Sequence, residues 1–346
     1  MSAGVNTSNI SRSTESKNAL VPALAIILTL AVSAGLAEIA TRLAGVRTFR
    51  TPSTQYLGWA KRDPVLGWRN NPGVWRADEP PHAPMTFLPD GSRATGTPAS
   101  ASGDPVVVIG CSFAEGYGLP DDETFTWLLQ QRFPRRPVLN FATPGYGTYQ
   151  SLQLLDELIG TRKIHPAAVI YGFLPQHAAR NVLTSPLLEA FRAFGGQRFS
   201  PPHVELHDGQ LRMFPPFVVS NWPLEDHSAL VTLAHQAELR ALLAGRDRDE
   251  EQVTNQLIAK MSQMAEKEHA RFLVATLWDD LPPGLAAYQR MAASMRKAGI
   301  EETDVTYRGA ETNPVRLHVG GVGHPGPAID EWWANKLSAW LGQVEQ

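Results

Sequence analysis

Eighteen consecutive residues, Leu20 to Ala37 (LVPALAIILTLAVSAGLA), carry no charged side chain. A run of that length and composition spans the hydrocarbon core of a bilayer as a helix. It lacks the polar stripe of a helix lying on a soluble core, since every face is apolar. Arg12 and Lys17 precede it, and Glu38, Arg42, Arg47 and Arg50 follow it. The competing reading is a cleaved signal peptide, for which Ala31, Ser33, Ala34 and Gly35 supply small residues near a processing site. The run is long for the apolar region of a signal, and a helical pattern continues through Ile39, Ala40 and Leu43. An uncleaved transmembrane anchor over residues 18–44 is therefore expected. The flanking positive charges do not clearly favour the N-terminal side. Residues 1–17, rich in Ser, Thr and Asn, are expected to be disordered.

Composition limits what the rest can do. The chain of 346 residues has 31 Lys and Arg against 34 Asp and Glu, so it lacks the cationic footprint with which proteins neutralise nucleic-acid phosphates. A nucleic-acid partner is not expected. Its single cysteine, Cys111, excludes an intrachain disulfide and a zinc site built from several thiolates. Residues 45–103 are dense in Pro and aromatics and contain turn dipeptides such as Asp90-Gly91. This predicts a lead-in of short strands and extended segments, a stalk or small β-rich piece between membrane and main domain.

From Asp104 strands and helices alternate. Val106 to Ile109, Val138 to Phe141, Ala168 to Phe173 and Phe272 to Leu277 are short apolar runs of the kind buried on both faces of a parallel sheet. Helical patterns lie at 124–133, 149–159, 250–269 and in a last segment with Ile329, Trp333, Leu337, Trp340 and Leu341 on one stripe. The expected fold class is α/β, a doubly wound parallel sheet over residues 104–346, interrupted by an insertion at 182–249 whose aromatics could form a lid.

In such a sheet, ligands meet the loops at the carboxyl ends of the strands. The first of these loops reads Gly110-Cys111-Ser112-Phe113-Ala114-Glu115-Gly116. A serine at a sharp strand-to-helix turn can present its hydroxyl to the crevice, although serines there also serve as helix caps. The second loop, Asn140 to Thr148, carries Gly145 and Gly147, which let backbone amides approach a ligand. Near the C-terminus, His324 stands in Gly320-Gly321-Val322-Gly323-His324-Pro325. A histidine there is poorly placed for core packing and suits a general base that titrates near neutrality. The match of Gly321, Gly323 and Gly326 to a dinucleotide fingerprint opens no βαβ unit and is set aside. His203 and His207 lack a third ligand in register, and no metal is expected.

These blocks and their order resemble the SGNH/GDSL hydrolase superfamily. The resemblance is nearest to membrane-anchored bacterial members with a DPxLGWR-like lead-in (Asp63 to Arg69), a GCSF block with Ser112, a PGYGT block (Pro144 to Thr148), a YGF…H..RN block (Tyr171 to Asn181) and a late His-Pro block. It covers roughly residues 60–341. It implies a flavodoxin-like fold, a seryl nucleophile at Ser112 activated by His324, and no cofactor. It also implies an oxyanion hole from the amides of Ser112 and Gly145 and a side-chain amide. The side-chain donor lacks a clean counterpart, and His177 and Asn181 stand nearest to its place. The acid that members carry three residues before the histidine is Gly321 here. Either a Ser112 and His324 dyad suffices, or another acid such as Asp304 reaches the imidazole, or activity is weakened. The expected function is an anchored serine esterase acting outside the cytoplasm on acetyl or short-acyl esters, with an acylated glycan as one such substrate. An O-acyltransferase on an exported polysaccharide, and a non-catalytic glycan-binding or assembly protein, are the alternatives.

Overall fold

The continuous apolar runs become neighbours in one parallel sheet, because strands with no polar side are buried only where both faces are covered. The computed structural model describes residues 8–50, 58–77, 81–195, 199–278, 285–321 and 323–344. Along the chain, α1 (Ser8–Leu43) is followed by two antiparallel hairpins, β1 (Ala60–Asp63) with β2 (Gly67–Asn70) and β3 (Gly73–Arg76) with β4 (Pro84–Phe87). Next come β5 (Val106–Gly110), α2 (Ser112–Glu115), α3 (Phe125–Arg132), β6 (Val138–Asn140), α4 (Thr148–Asp156) and β7 (Ala168–Phe173). Then follow α5 (His177–Val182), α6 (Ser185–Gly195), a third hairpin of β8 (His203–His207) with β9 (Gln210–Phe214), and α7 (Ala229–Leu242). The chain closes with α8 (Glu250–Lys267), β10 (Arg271–Thr276), α9 (Leu285–Lys297), β11 (Glu301–Asp304), α10 (Pro314–Leu317) and α11 (Pro327–Val344).

The five-stranded sheet has the order β11-β10-β7-β5-β6, all parallel. Counted by first appearance this is 5-4-3-1-2, the flavodoxin-like order, and the crevice opens where it reverses, between β5 and β7. Successive side chains on each strand go to opposite faces. Val106, Val108 and Ile170 pack in one apolar core with Phe125 of α3 and Ile329 and Trp333 of α11. Val107, Ile109 and Val169 join the other with Leu155 of α4, Leu257 of α8 and Met291 of α9. The fold is α/β and wound on both faces of its sheet.

The chain divides into two compact units, Met1–Thr51 with Asn221–Leu242, and Pro52–Ser220 with Leu243–Gln346. In the first, α1 begins at Ser8, so residues 8–17, expected to be disordered, are helical; once a helix is nucleated by the apolar run, each further turn adds hydrogen bonds without a new nucleation cost. Its Val21–Leu43 stretch is long and apolar enough to cross a membrane. Near its end Glu38 accepts hydrogen bonds from Ser228 Oγ at 2.7 Å and from the Ala229 and Leu230 amides at 2.9 Å each, which caps the otherwise unsatisfied first turn of α7.

Two expectations about organisation change in the second unit. The lead-in is not a stalk: Trp59, Trp68, Met85 and Phe87 are almost fully buried in the core that α4 and α8 share, because those aromatics have more apolar surface than a linker could leave in water. The insertion at 182–249 does not form a single cap either. Its first part, α6 and the β8–β9 hairpin, belongs to the sheet unit, and Asn221–Leu242 belongs with α1.

Candidate active site

The apolar strand β5 ends at Gly110, whose φ of +149° places it where L side chains are rarely found. A Cβ there would meet the Gly172 carbonyl oxygen at 2.7 Å and Ala114 Cβ at 2.9 Å. Glycine at 110 therefore lets β5 turn tightly against β7 into α2, with extended Cys111 preceding the first helical residue, Ser112. Cys111 is a buried free thiol and packs as a small apolar residue. Ser112 is 8% exposed and lines a cavity of about 220 Å³ above the sheet. Among the described residues its N–H donates to no protein acceptor.

Gly145 lines the same cavity. The loop that carries it is fixed from several sides. Trp68 Nε1 donates to the Pro144 carbonyl at 2.8 Å, Tyr146 Oη donates to the Trp68 carbonyl, and Arg180 Nη1 donates to the Tyr146 carbonyl at 2.8 Å. Gln150 reaches back to the Leu66 carbonyl at 2.7 Å. The DPVLGWR stretch serves this arrangement. Asp63 accepts from the Val65 and Leu66 amides and from Arg69 Nε, shaping the turn that delivers Trp68. Gly145 has φ +83°, and a Cβ there would come within 3.0 Å of Trp68 and 3.1 Å of Phe191. Its amide, like that of Ser112, has no protein acceptor among the described residues.

His324 stands between α10 and α11 on a loop closed by its own carbonyl, which accepts from the Val319 amide at 2.8 Å. Its ring lies 4.8 Å from that of Tyr117 and 5.8 Å from that of Phe113, and it lines the cavity with Ser112. Ser112 and the imidazole of His324 thus share one wall of the cavity. Gly321 has φ +82°, a backbone state in which an aspartate at this position would be strained. Asp304 is not the replacement acid. Its carboxylate is taken by the Thr306 amide and hydroxyl and by Arg308. It also ends the edge strand β11, three strand spacings or roughly 14 Å from β5. Burial raises its pKa, yet those donors hold the carboxyl below the usual range.

The two side chains nearest the expected third oxyanion position are both committed elsewhere. Asn181 accepts from the Tyr149 amide at 3.0 Å and donates to Thr148 Oγ1 at 3.0 Å and Thr254 Oγ1 at 2.8 Å, tying α4, α5 and α8 together. His177 Nδ1 lies 2.6 Å from the Tyr171 hydroxyl, and burial pushes its pKa well below that of a free imidazole. Neither lines the cavity. The residue between them that does is Arg180, which sequence reasoning passed over because the RN pair offered an amide beside it. Trp59 and Tyr117, and Phe191, Phe194 and Phe199 from the insertion, complete the wall.

Beneath α2 lies a charged cluster that the sequence did not announce. Arg93, fully buried, donates from Nη1 to Glu115 Oε1 at 2.7 Å, from Nε to Asp121 Oδ1 at 2.9 Å, and from Nη2 to the Leu119 carbonyl at 2.6 Å. Burial pushes the Glu115 carboxyl up, against the pull of Arg93 and, more weakly, of His324. Asp330 of α11, also buried, accepts from the Phe125 amide at 2.8 Å. Burial pushes its carboxyl well above the usual range. Asn140 ties β6 to α2 through the Ala114 carbonyl at 2.9 Å. Among the described residues, no group of three His, Cys, Asp or Glu side chains is placed to hold a metal ion.

No protein-family model matches the sequence, and no curated protein matches it. Solved structures do align with it. A protein named TesA is 16% identical, with 70% of this chain and 99% of that one covered and a TM-score of 0.41. A GDSL-like lipase from Bacteroides thetaiotaomicron is 13% identical, with 70% and 89% covered and a TM-score of 0.39. An acetyl xylan esterase from the rumen bacterium Butyrivibrio proteoclasticus is 12% identical, with 70% and 64% covered and a TM-score of 0.39.

Proposed function

We propose that this protein is a serine esterase of the SGNH type held at a membrane by α1. Ser112 Oγ attacks the ester carbonyl carbon while His324 takes its proton. The oxyanion is held by the amides of Ser112 and Gly145. Collapse of the tetrahedral intermediate expels the alcohol, which receives the proton from His324. Water, deprotonated by the same imidazole, then attacks the acyl-serine and releases the acid and free Ser112. The observation that carries this reading is that Ser112, Gly145 and His324, far apart in sequence, line one cavity at the carboxyl end of β5. In the substrate complex the imidazole closes to hydrogen-bond distance of the hydroxyl, about 2.6–3.2 Å.

Short-acyl esters, including acetyl groups on glycans, are the substrates this reading favours, since the cavity is small. The sheet unit is proposed to lie outside the cytoplasm, so protease added to intact cells is expected to remove it. The central test is a panel of acetyl and short-acyl esters with the parent chain and Ser112→Ala. Hydrolysis is expected to fall by three to four decades or more, and a fluorophosphonate probe is expected to label the parent at Ser112 alone. Undiminished hydrolysis by Ser112→Ala refutes the proposal.

A further inference from the structure

We propose that Arg180 anchors an anionic group on the substrate, so that the cavity selects esters bearing a carboxylate or similar charge near the scissile bond. The inference rests on the esterase reading for its chemistry, but the anion site can be measured without it. Arg180 lines the cavity with Ser112 and His324. Of its five N–H donors, Nη1 is spent on the Tyr146 carbonyl, and Nε is buried without a partner. Several other partly or fully buried arginines of this unit are matched to acids: Arg69 to Asp63 and Glu157, Arg93 to Glu115 and Asp121, Arg162 to Glu157, and Arg246 to Glu205. Arg180 pairs with no carboxylate among the described residues.

A guanidinium facing an aromatic wall is poorly solvated, and in such surroundings a charge without a counterion is unfavourable. Trp59, Phe191, Phe194 and Phe199 supply no acceptor that could neutralise it. A carboxylate on the substrate does, through the paired geometry that guanidinium favours. The pairing also helps the reaction. His324 becomes a cation when it takes the seryl proton, and an uncompensated positive charge in the same cavity opposes that step, whereas a bound anion removes the opposition. The anion could sit on the acyl part or on the alcohol part of the ester, and matched probes separate these.

The kinetic test uses the full chain in detergent with two isosteric pairs. One pair, para-acetoxybenzoate and para-acetoxybenzamide, varies charge on the alcohol side. The other, para-nitrophenyl hemisuccinate and para-nitrophenyl 4-methylpentanoate, varies it on the acyl side. In at least one pair kcat/KM is expected to favour the anion by about tenfold or more, with the ratio falling near one in Arg180→Met and partly kept in Arg180→Lys. Equal rates in both pairs with the parent chain overturn the inference and leave the esterase reading standing. So does a fall in kcat on charged and neutral esters alike in Arg180→Met with KM unchanged, which marks Arg180 as an oxyanion donor. The binding arm uses Ser112→Ala and measures benzoate against benzamide by calorimetry. Tighter binding of benzoate that weakens with salt and disappears with Arg180→Met supports the anion site even if no ester is turned over. Where no ester is turned over, equal or undetectable binding of the two refutes it.

Discussion

Replacing Arg93 by Met tests how α2, the short helix that begins at Ser112, is supported. The guanidinium is wholly buried and its strongest ion pair, with Glu115 at 2.7 Å, has both side chains at 0% exposure. Methionine fills much of the volume but leaves Glu115 without its main counterion, on a side chain whose Oε2 already has no partner. It also strips a donor from the Leu119 carbonyl and one from Gly116. Breaking a buried pair from one side costs about 3–5 kcal/mol, most of it the penalty of the abandoned charge. Glu115 limits that penalty by taking a proton. Its pKa is already raised from 4.5 and rises further without Arg93. A raised carboxyl contributes stability that is present below the unfolded value and lost as pH climbs through the folded one. The deficit of Arg93→Met against the parent is therefore expected to be large at pH 7 and to shrink toward pH 5. Urea unfolding of the full chain in detergent, followed by tryptophan fluorescence at the two pH values, measures it. In Arg93→Met with Glu115→Gln the abandoned charge is gone, and about 1–3 kcal/mol should be recovered as coupling. A single-variant loss below about 1 kcal/mol at pH 7, or strict additivity of the two changes, refutes the idea that Arg93 acts by compensating a buried charge.

Trp68→Phe keeps the buried ring but removes the donor to Pro144, so the loop carrying Gly145 loses a fixed point. kcat/KM on short-acyl esters is expected to fall by about 10²-fold with a stability loss of about 1–3 kcal/mol, and unchanged kcat/KM would show that the loop needs no such tether. Asp330→Asn retains an acceptor for the Phe125 amide and removes a carboxyl that burial pushes well above the usual range. Because that shift withdraws stability as pH rises, the melting temperature of the variant relative to the parent should climb between pH 4 and pH 8, and a difference independent of pH contradicts it.

Much of the sheet was legible because its strands are buried on both faces. Val106 to Ile109 and Ala168 to Phe173 read as strands without any tertiary information, and their alternation with helices limited the topology to a parallel sheet. The lead-in was misjudged for a physical reason. Prolines and aromatics suggest local extended structure, and short strands do lie at Ala60–Asp63, Gly67–Asn70, Gly73–Arg76 and Pro84–Phe87, but nothing local says that Trp59 and Trp68 will find a core to enter. Residues 8–17 were misjudged because polar composition was weighed without the helix already nucleated beside them.

The site divides in the same way. Ser112, Gly145 and His324, which the structure brings to one cavity, could be singled out from sequence because each sits in a glycine-bearing turn at the end of an element, where a side chain or amide can face a crevice. Asp304 was named as an acid near a strand end, and His177 and Asn181 by proximity along the chain, and the fold assigns each to other partners. Arg93, Glu115 and Arg180 carried no local signal, since a charged residue in sequence looks solvated until packing removes its water.

By itself, then, the sequence determined an apolar helix long enough to cross a membrane, the parallel α/β order, and the glycine turns that expose one serine and one histidine. These follow from local backbone limits and hydrophobic periodicity, which act over a few residues. Tertiary structure alone decided which charges are compensated. It matched Arg93 to Glu115 and Asp121 across more than twenty residues and left Arg180 in the cavity with no acid paired to it among the described residues. The pairing of buried charges depends on distances through space, which sequence separation does not encode.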